Sequence, residues 1–197
     1  VEEITDVQPG GLVETGGLTG ADGFSAAGFG ANVTWDSRDR TLWPTRGAYA
    51  QAWYLHFPSD IGRNDGYSRG SAEARLFLPL GRGRVLGLAA LLEEAHGATP
   101  FTLLPKLGST RYLRGIREGR YRDQVAWAAQ AELRVPLAER VAGALFGSFG
   151  DVGPDLEALR ADNLKVSAGA GLRFRLTDQG ANLRLDLPIA LYEAVLG

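Results

Sequence analysis

The sequence predicts an all-β fold, an antiparallel β-barrel of about eight strands that crosses a membrane. Three observations predict it. Apolar and polar side chains alternate through runs of about 10 to 13 residues, longer than the strands of soluble sheets. Charges gather on the polar side of those runs, and short turns alternate with long loops between them. Helical spanning is excluded, because the longest uncharged apolar stretches, such as Val85 to Leu92, fall far short of the roughly 18 residues a transmembrane helix needs. A barrel is the other structure that satisfies every backbone polar group in lipid.

Residues 1–23, rich in Gly, Glu, Asp and Thr without periodicity, read as an extended lead-in, and residues 24–197 as the barrel. The first strand sets Ala27, Phe29, Ala31, Val33 and Trp35 against Gly28, Gly30, Asn32, Thr34 and Asp36. A long loop, Ser37 to Gly47, leads to a second strand, Ala48 to Phe57, with apolar residues on both faces. Ser71 to Leu80 places Ala72, Ala74, Leu76 and Leu78 opposite Glu73, Arg75 and Phe77, and the turn Gly81 to Arg84 joins it to Val85 to Glu94. After the long connection Gly97 to Gln124, residues Trp127, Ala129, Ala131, Leu133 and Val135 oppose Gln130, Glu132 and Arg134, and Pro136 ends the strand at its rim. The turn Ala138 to Arg140 leads to a mixed strand, Val141 to Asp151, and the loop Gly153 to Asn163 to the cleanest one. From Leu164 to Leu176 every residue obeys period two, and a tight Asp178-Gln179-Gly180 turn pairs it with Leu183, Leu185, Leu187 and Ile189 opposite Arg184 and Asp186. Short turns at one end and long loops at the other are the asymmetry of a membrane barrel.

Alternation alone also fits a soluble, lipocalin-like barrel with a dry interior. The polar faces arbitrate. They collect Glu73, Arg75, Glu93, Gln130, Glu132, Arg134, Lys165, Arg173, Arg175, Arg184 and Asp186 among Gly, Ala and Ser, and small residues between long charged ones suit a narrow lumen in which opposite charges pair. Trp35, Trp43, Tyr49, Trp53, Tyr54 and Phe57 cluster near the ends of the first two strands, as an interfacial girdle does.

With a net charge of -2 and both signs interleaved, the chain has no footprint for nucleic acid. There is no cysteine, and the two histidines, His56 and His96, have no metal-ligand spacing, so neither a metal nor a cofactor nor an enzymatic site is expected. Gly28-x-Gly30 lacks the strand-to-helix setting of a nucleotide loop. No secretory leader is visible at Val1.

One loop departs from loop composition: Leu107 to Asp123 holds five arginines in 17 residues around Leu113-Arg114-Gly115-Ile116. A connection of this length in a compact protein is usually functional or folded back on the body. It resembles the inward-folding loop of the BamA/TamA-type outer-membrane assembly and secretion barrels, the bacterial surface antigen superfamily, whose signature is Arg-Gly followed by an aromatic. Four more segments resemble the family in its order: Trp35-Asp36-Ser37-Arg38-Asp39 with Trp43-Pro44-Thr45-Arg46-Gly47, Glu132-Leu133-Arg134-Val135-Pro136-Leu137, Phe146 to Val152, and Ser167 to Phe174. Two departures stand out. Ile116 replaces the aromatic, and Ser148 replaces the Asp that faces the loop arginine.

The resemblance implies that Arg114 reaches into the lumen and bonds an acidic group, with Glu132 the nearest surviving candidate and Arg134, Ser148 and Asp151 the other candidate lumen partners. A solvated loop charge is the alternative for Arg114. Asp36, Arg38 and Asp39 form a charged cluster at a strand end, expected to be a solvated rim. The family has sixteen strands preceded by POTRA domains; this sequence offers eight and no POTRA domain, so the expectation is a small relative, or a barrel completed elsewhere or by a second copy. By resemblance the chain sits in the bacterial outer membrane and assists insertion or translocation of membrane proteins. Its expected partners are the lipid bilayer and other outer-membrane or periplasmic proteins, with a homodimer as one arrangement. A structural or accessory barrel without insertase activity, and a soluble ligand-binding barrel, are the alternatives.

Overall fold

A computed structural model describes residues 17–177 and 182–191. Its body is one sheet of eight antiparallel strands in sequence order: β1 (Phe29–Asp36), β2 (Gly47–Phe57), β3 (Tyr67–Pro79), β4 (Val85–Gly97), β5 (Val125–Ala138), β6 (Val141–Gly153), β7 (Lys165–Arg175) and β8 (Asn182–Ala190). Each strand pairs with its chain neighbour, the pattern that alternating apolar runs joined by local connections dictate. Among the described residues β1 and β8 each keep one unpaired edge. Two small ribbons decorate the sheet: Ser25–Ala26 with Gly62–Arg63, and Lys106–Leu107 with Tyr121–Arg122. No described helix is long and apolar enough to cross a membrane.

Burial is inverted relative to a soluble protein. On the convex side Leu187 is 80% exposed, Phe29 67% and Leu145 60%, whereas on the concave side Arg173 is 3% exposed and Arg114 5%. Large apolar side chains in that position need lipid as their solvent, which removes the lipocalin-like reading. The apolar core is small and lies beneath the long loop, where Leu107, Tyr112, Leu113 and Ile116 pack on Ala126 and Ala128 of the inner face of β5.

Several details differ from the sequence reading. β3 begins at Tyr67 rather than Ser71, and β4 runs to Gly97. The connection 58–66 between β2 and β3 has no counterpart in the sequence reading, and it changes which end each loop occupies. In an up-and-down sheet alternate connections share an end, so the loop 37–46 lies with the short turns 80–84 and 139–140, while 58–66 joins the long connections 98–124 and 154–164. The aromatic girdle is also corrected. Trp35 and Tyr54 face outward and exposed, but Tyr49 and Trp53 have the opposite parity and lie under Arg75 and Arg69, and Trp43 lies under Arg134. The turn 178–180, the lead-in 1–16 and the tail 192–197 lie outside the described residues.

Candidate functional site

The connection between β4 and β5 does not stand away from the sheet; it folds onto the concave face. Its Lys106–Leu107 and Tyr121–Arg122 ribbon brings a compact tip inward, and Leu113 is completely buried there. Leu113 has φ +51°, a left-handed conformation that costs a residue with a Cβ roughly 1–2 kcal/mol. Two contacts hold it: the Leu113 amide donates to Ser148 Oγ at 3.1 Å, and Ser148 Oγ meets Ser167 Oγ at 2.9 Å. The preceding residue is fixed as well, since the Tyr112 hydroxyl donates to Glu73 Oε1 at 2.8 Å, a carboxylate that also binds Arg75 at 2.7 Å and Arg111 at 3.3 Å. Gly115 follows at φ +92°, with Pro188 of β8 only 3.1 Å from where a Cβ would sit.

This posture aims Arg114 across the concave face. Its guanidinium lies 4.1 Å from the Phe146 ring centre, with Nη2 2.9 Å from Glu132 and Nη1 3.3 Å from Asp186. Arg173 binds the same two carboxylates at 2.7 and 2.5 Å, and Arg184 adds a third contact to Asp186 at 3.1 Å. Buried ions of one sign are costly, and sharing two carboxylates among three arginines offsets most of that cost. One loop is thereby tied to β5, β6, β7 and β8.

The strand motifs explain how space is made. Along β7, Ser167 meets Ser148, and a Cβ on Gly169 would lie 2.6 Å from the Phe146 ring. A Cβ on Gly171 would lie 2.3 Å from Asp186 Oδ1 and 2.8 Å from Arg173 Nη1. Arg173 then supplies the charge. Ser-x-Gly-x-Gly-x-Arg is therefore an inner-face row in which two missing side chains admit an aromatic ring and an ion pair. On β5, Glu132 holds Arg114 and Arg173 while Arg134 turns to the other end, donating to the Pro44 carbonyl.

The second infolded segment is the loop 37–46. Arg38 binds Asp36 through Nε at 2.9 Å and Nη2 at 2.7 Å, and Asp39 accepts from the Thr45 amide at 2.8 Å, the Thr45 hydroxyl at 2.5 Å and the Arg46 amide at 3.2 Å. Burial pushes the Asp39 carboxyl up, but these donors outweigh it and hold it at about 2. Gly47, at φ +96°, closes the loop where a Cβ would sit 2.3 Å from the Ser37 carbonyl. The three charged residues thus build a loop whose Trp43 and Pro44 sit inside, and the Leu42 carbonyl accepts from Asn182 Nδ2 of β8 at 2.7 Å.

The structure brings Arg114, Glu132 and Ser148 together, with Ser148 holding the loop backbone rather than the guanidinium. Asp151 is not among them. It lies near the end of β6, opposite Trp127 in register, is 1% exposed, and binds Lys165 at 2.6 Å and the Arg160 amide at 3.3 Å. Arg134 is likewise no partner of Arg114. Among the described residues no group of three or more His, Cys, Asp or Glu is placed to hold a metal ion.

The Omp85 superfamily domain matches residues 15–194. This chain belongs to the Omp85 superfamily. The fold agrees: it is similar to BamA from Haemophilus ducreyi lacking POTRA domains 1–3, with a TM-score of 0.67 at 16% identity, over 81% of this chain and 38% of that chain. The chain therefore spans well under half the length of that structure. Comparison with curated proteins gives no match.

Within this Omp85 sheet, the residues missing from the sequence-derived site are Glu73, Tyr112, Phe146, Arg173, Arg184 and Asp186. All but Tyr112 lie on the inner parity of their strands, so the polar-face pattern contained Glu73, Arg173 and Asp186 without saying which of them meet. Register supplies the answer: Glu132 pairs with Phe146, Phe146 with Gly169 and Gly169 with Pro188, one continuous row across β5 to β8.

Proposed function

We propose that this chain forms part of a barrel in the bacterial outer membrane that assists the insertion or translocation of membrane proteins, a non-enzymatic role with lipid and other envelope proteins as partners. The observation that carries the reading is the lock between Arg114 and Asp186. It fixes β8, which keeps one unpaired backbone edge among the described residues, to the loop on the concave face. A free edge held in place by its interior is a template on which an extended segment can add as a strand. Strand length supports the same reading: β1 and β8 have 8 and 9 residues, against 13 in β4 and 14 in β5. Shorter strands present a lower apolar band, and local thinning of the bilayer lowers the barrier to insertion there.

Proteoliposomes containing the protein should fold a model outer-membrane barrel faster than empty liposomes do, and Arg114→Ala should remove most of the gain. Folding at the empty-liposome rate would replace this reading with that of an accessory barrel subunit.

A further inference from the structure

Between the two infolded segments lies a cavity of about 250 Å³ whose walls carry seven arginines, 38, 75, 111, 114, 134, 173 and 184. Their carboxylate partners are fewer. Asp36 serves Arg38, Glu73 serves Arg75 and Arg111, and Glu132 and Asp186 serve Arg114, Arg173 and Arg184. Seven cations against four anions leave three positive charges, or two if Asp39 is counted although Thr45 and Arg46 already engage it.

The uncompensated group is Arg134. It is 9% exposed, its described contacts are the Pro44 carbonyl and the rings of Trp43 and Phe77 at 5.5 and 5.8 Å, and it has no carboxylate partner among the described residues. A guanidinium buried that far is costly without a counter-charge. The ring faces and the more distant Glu132 and Asp39 carboxylates, neither of which touches it, compensate only part of it, and nearby Arg173 works against them.

We propose that this cavity binds a small oxyanion of the phosphate type, with Arg134 as its principal ligand. The fork of guanidinium donors matches tetrahedral and planar oxyanions and is the usual means of holding phosphate. A volume of about 250 Å³ lined by guanidinium groups has room for a phosphate group with its waters, and the charged lining does not suit an apolar lipid chain. Entry is open on the side of Arg111, whose side chain is 62% exposed. The phosphate can be free or borne by a headgroup; the chemistry recognised is the same. The proposal is independent of insertase activity.

The test is titration of the purified protein in a zwitterionic detergent with inorganic phosphate, against chloride at matched ionic strength, followed by calorimetry and thermal unfolding. Saturable phosphate binding is expected, with a rise in unfolding temperature that chloride does not reproduce. Arg134→Gln should weaken phosphate at least tenfold. Arg111→Gln, at the exposed wall and away from the Pro44 contact, should weaken it several-fold and guards against a misfolded Arg134 variant. Micelles doped with phosphatidic acid, free of inorganic phosphate, identify the source: stabilisation there that Arg134→Gln abolishes means a headgroup, and its absence means the free ion. A wild-type protein without saturable phosphate binding, or well-folded variants that bind phosphate as it does, would overturn the proposal.

Discussion

Removing Arg114 and removing Glu132 should have unequal effects, because the cluster they share holds three arginines and two carboxylates. Without Arg114 two cations face two anions, a neutral remainder, and the loss is that of charged hydrogen bonds, about 1.5–3 kcal/mol. Without Glu132 three cations face Asp186 alone, so Glu132→Ala should cost about 3–5 kcal/mol, the usual penalty for stranding a buried charge. Urea unfolding in lipid, with the double variant included, reads both numbers and their coupling. Equal or reversed costs, or additivity, would mean that Arg114 is a solvated loop charge. A second residue-scale outcome concerns Asp39. Its donors hold it at about 2, below its ordinary 3.8, so its contribution to the loop is full above about pH 4 and is lost as pH falls through 2. The Asp39 carboxyl carbon should titrate by NMR with a midpoint near 2, and Thr45→Val should move it back toward 3.8; a midpoint already near 3.8 in the wild type would show that the loop is not closed in solution.

At the scale of the elements, parity was legible and pairing was not. Alternation in residues 164–176 or 125–137 shows which side chains share a face, because a strand has period two, and the inner rows of β5 and β7 agree with it. The side on which the loop 37–46 lies is not set by alternation, since it depends on the connection 58–66, which only Pro58, Gly62 and Gly66 mark in the sequence. Facing residues were hidden too: Gly171 and Asp186 stand directly opposite only because β7 and β8 adopt that register. Gly171→Ala should therefore do what no propensity scale anticipates. Its Cβ would sit 2.3 Å from Asp186 Oδ1 and 2.4 Å from the Leu185 carbonyl, so β8 must shift or release the ion pair. Amide exchange should lose protection through β7 and β8 while β3 and β4 keep theirs; protection unchanged in β8 would argue that the register is different.

Over the whole molecule, the concave face holds more than an eight-stranded ring can contain. A closed barrel of eight strands has an interior just wide enough for side chains, yet this sheet accommodates the backbone of two infolded segments, one carrying Arg114 and the other Trp43 and Pro44. Its curvature is therefore that of a wider cylinder, which agrees with β1 and β8 not pairing with each other among the described residues. In lipid those edges are costly, since each unpaired amide or carbonyl in hydrocarbon lacks water to replace its partner. Further strands must cover them. For this polypeptide purified on its own, we predict that a second copy supplies them: because β1 and β8 run in opposite directions, β1 of one copy can pair antiparallel with β8 of the other at both seams. Light scattering of the refolded chain in detergent should give two polypeptides per particle, and amide protection of β1 should fall on dilution into excess detergent. A particle of one polypeptide with β1 and β8 both protected would mean that the sheet closes on itself by expelling at least one of the infolded segments.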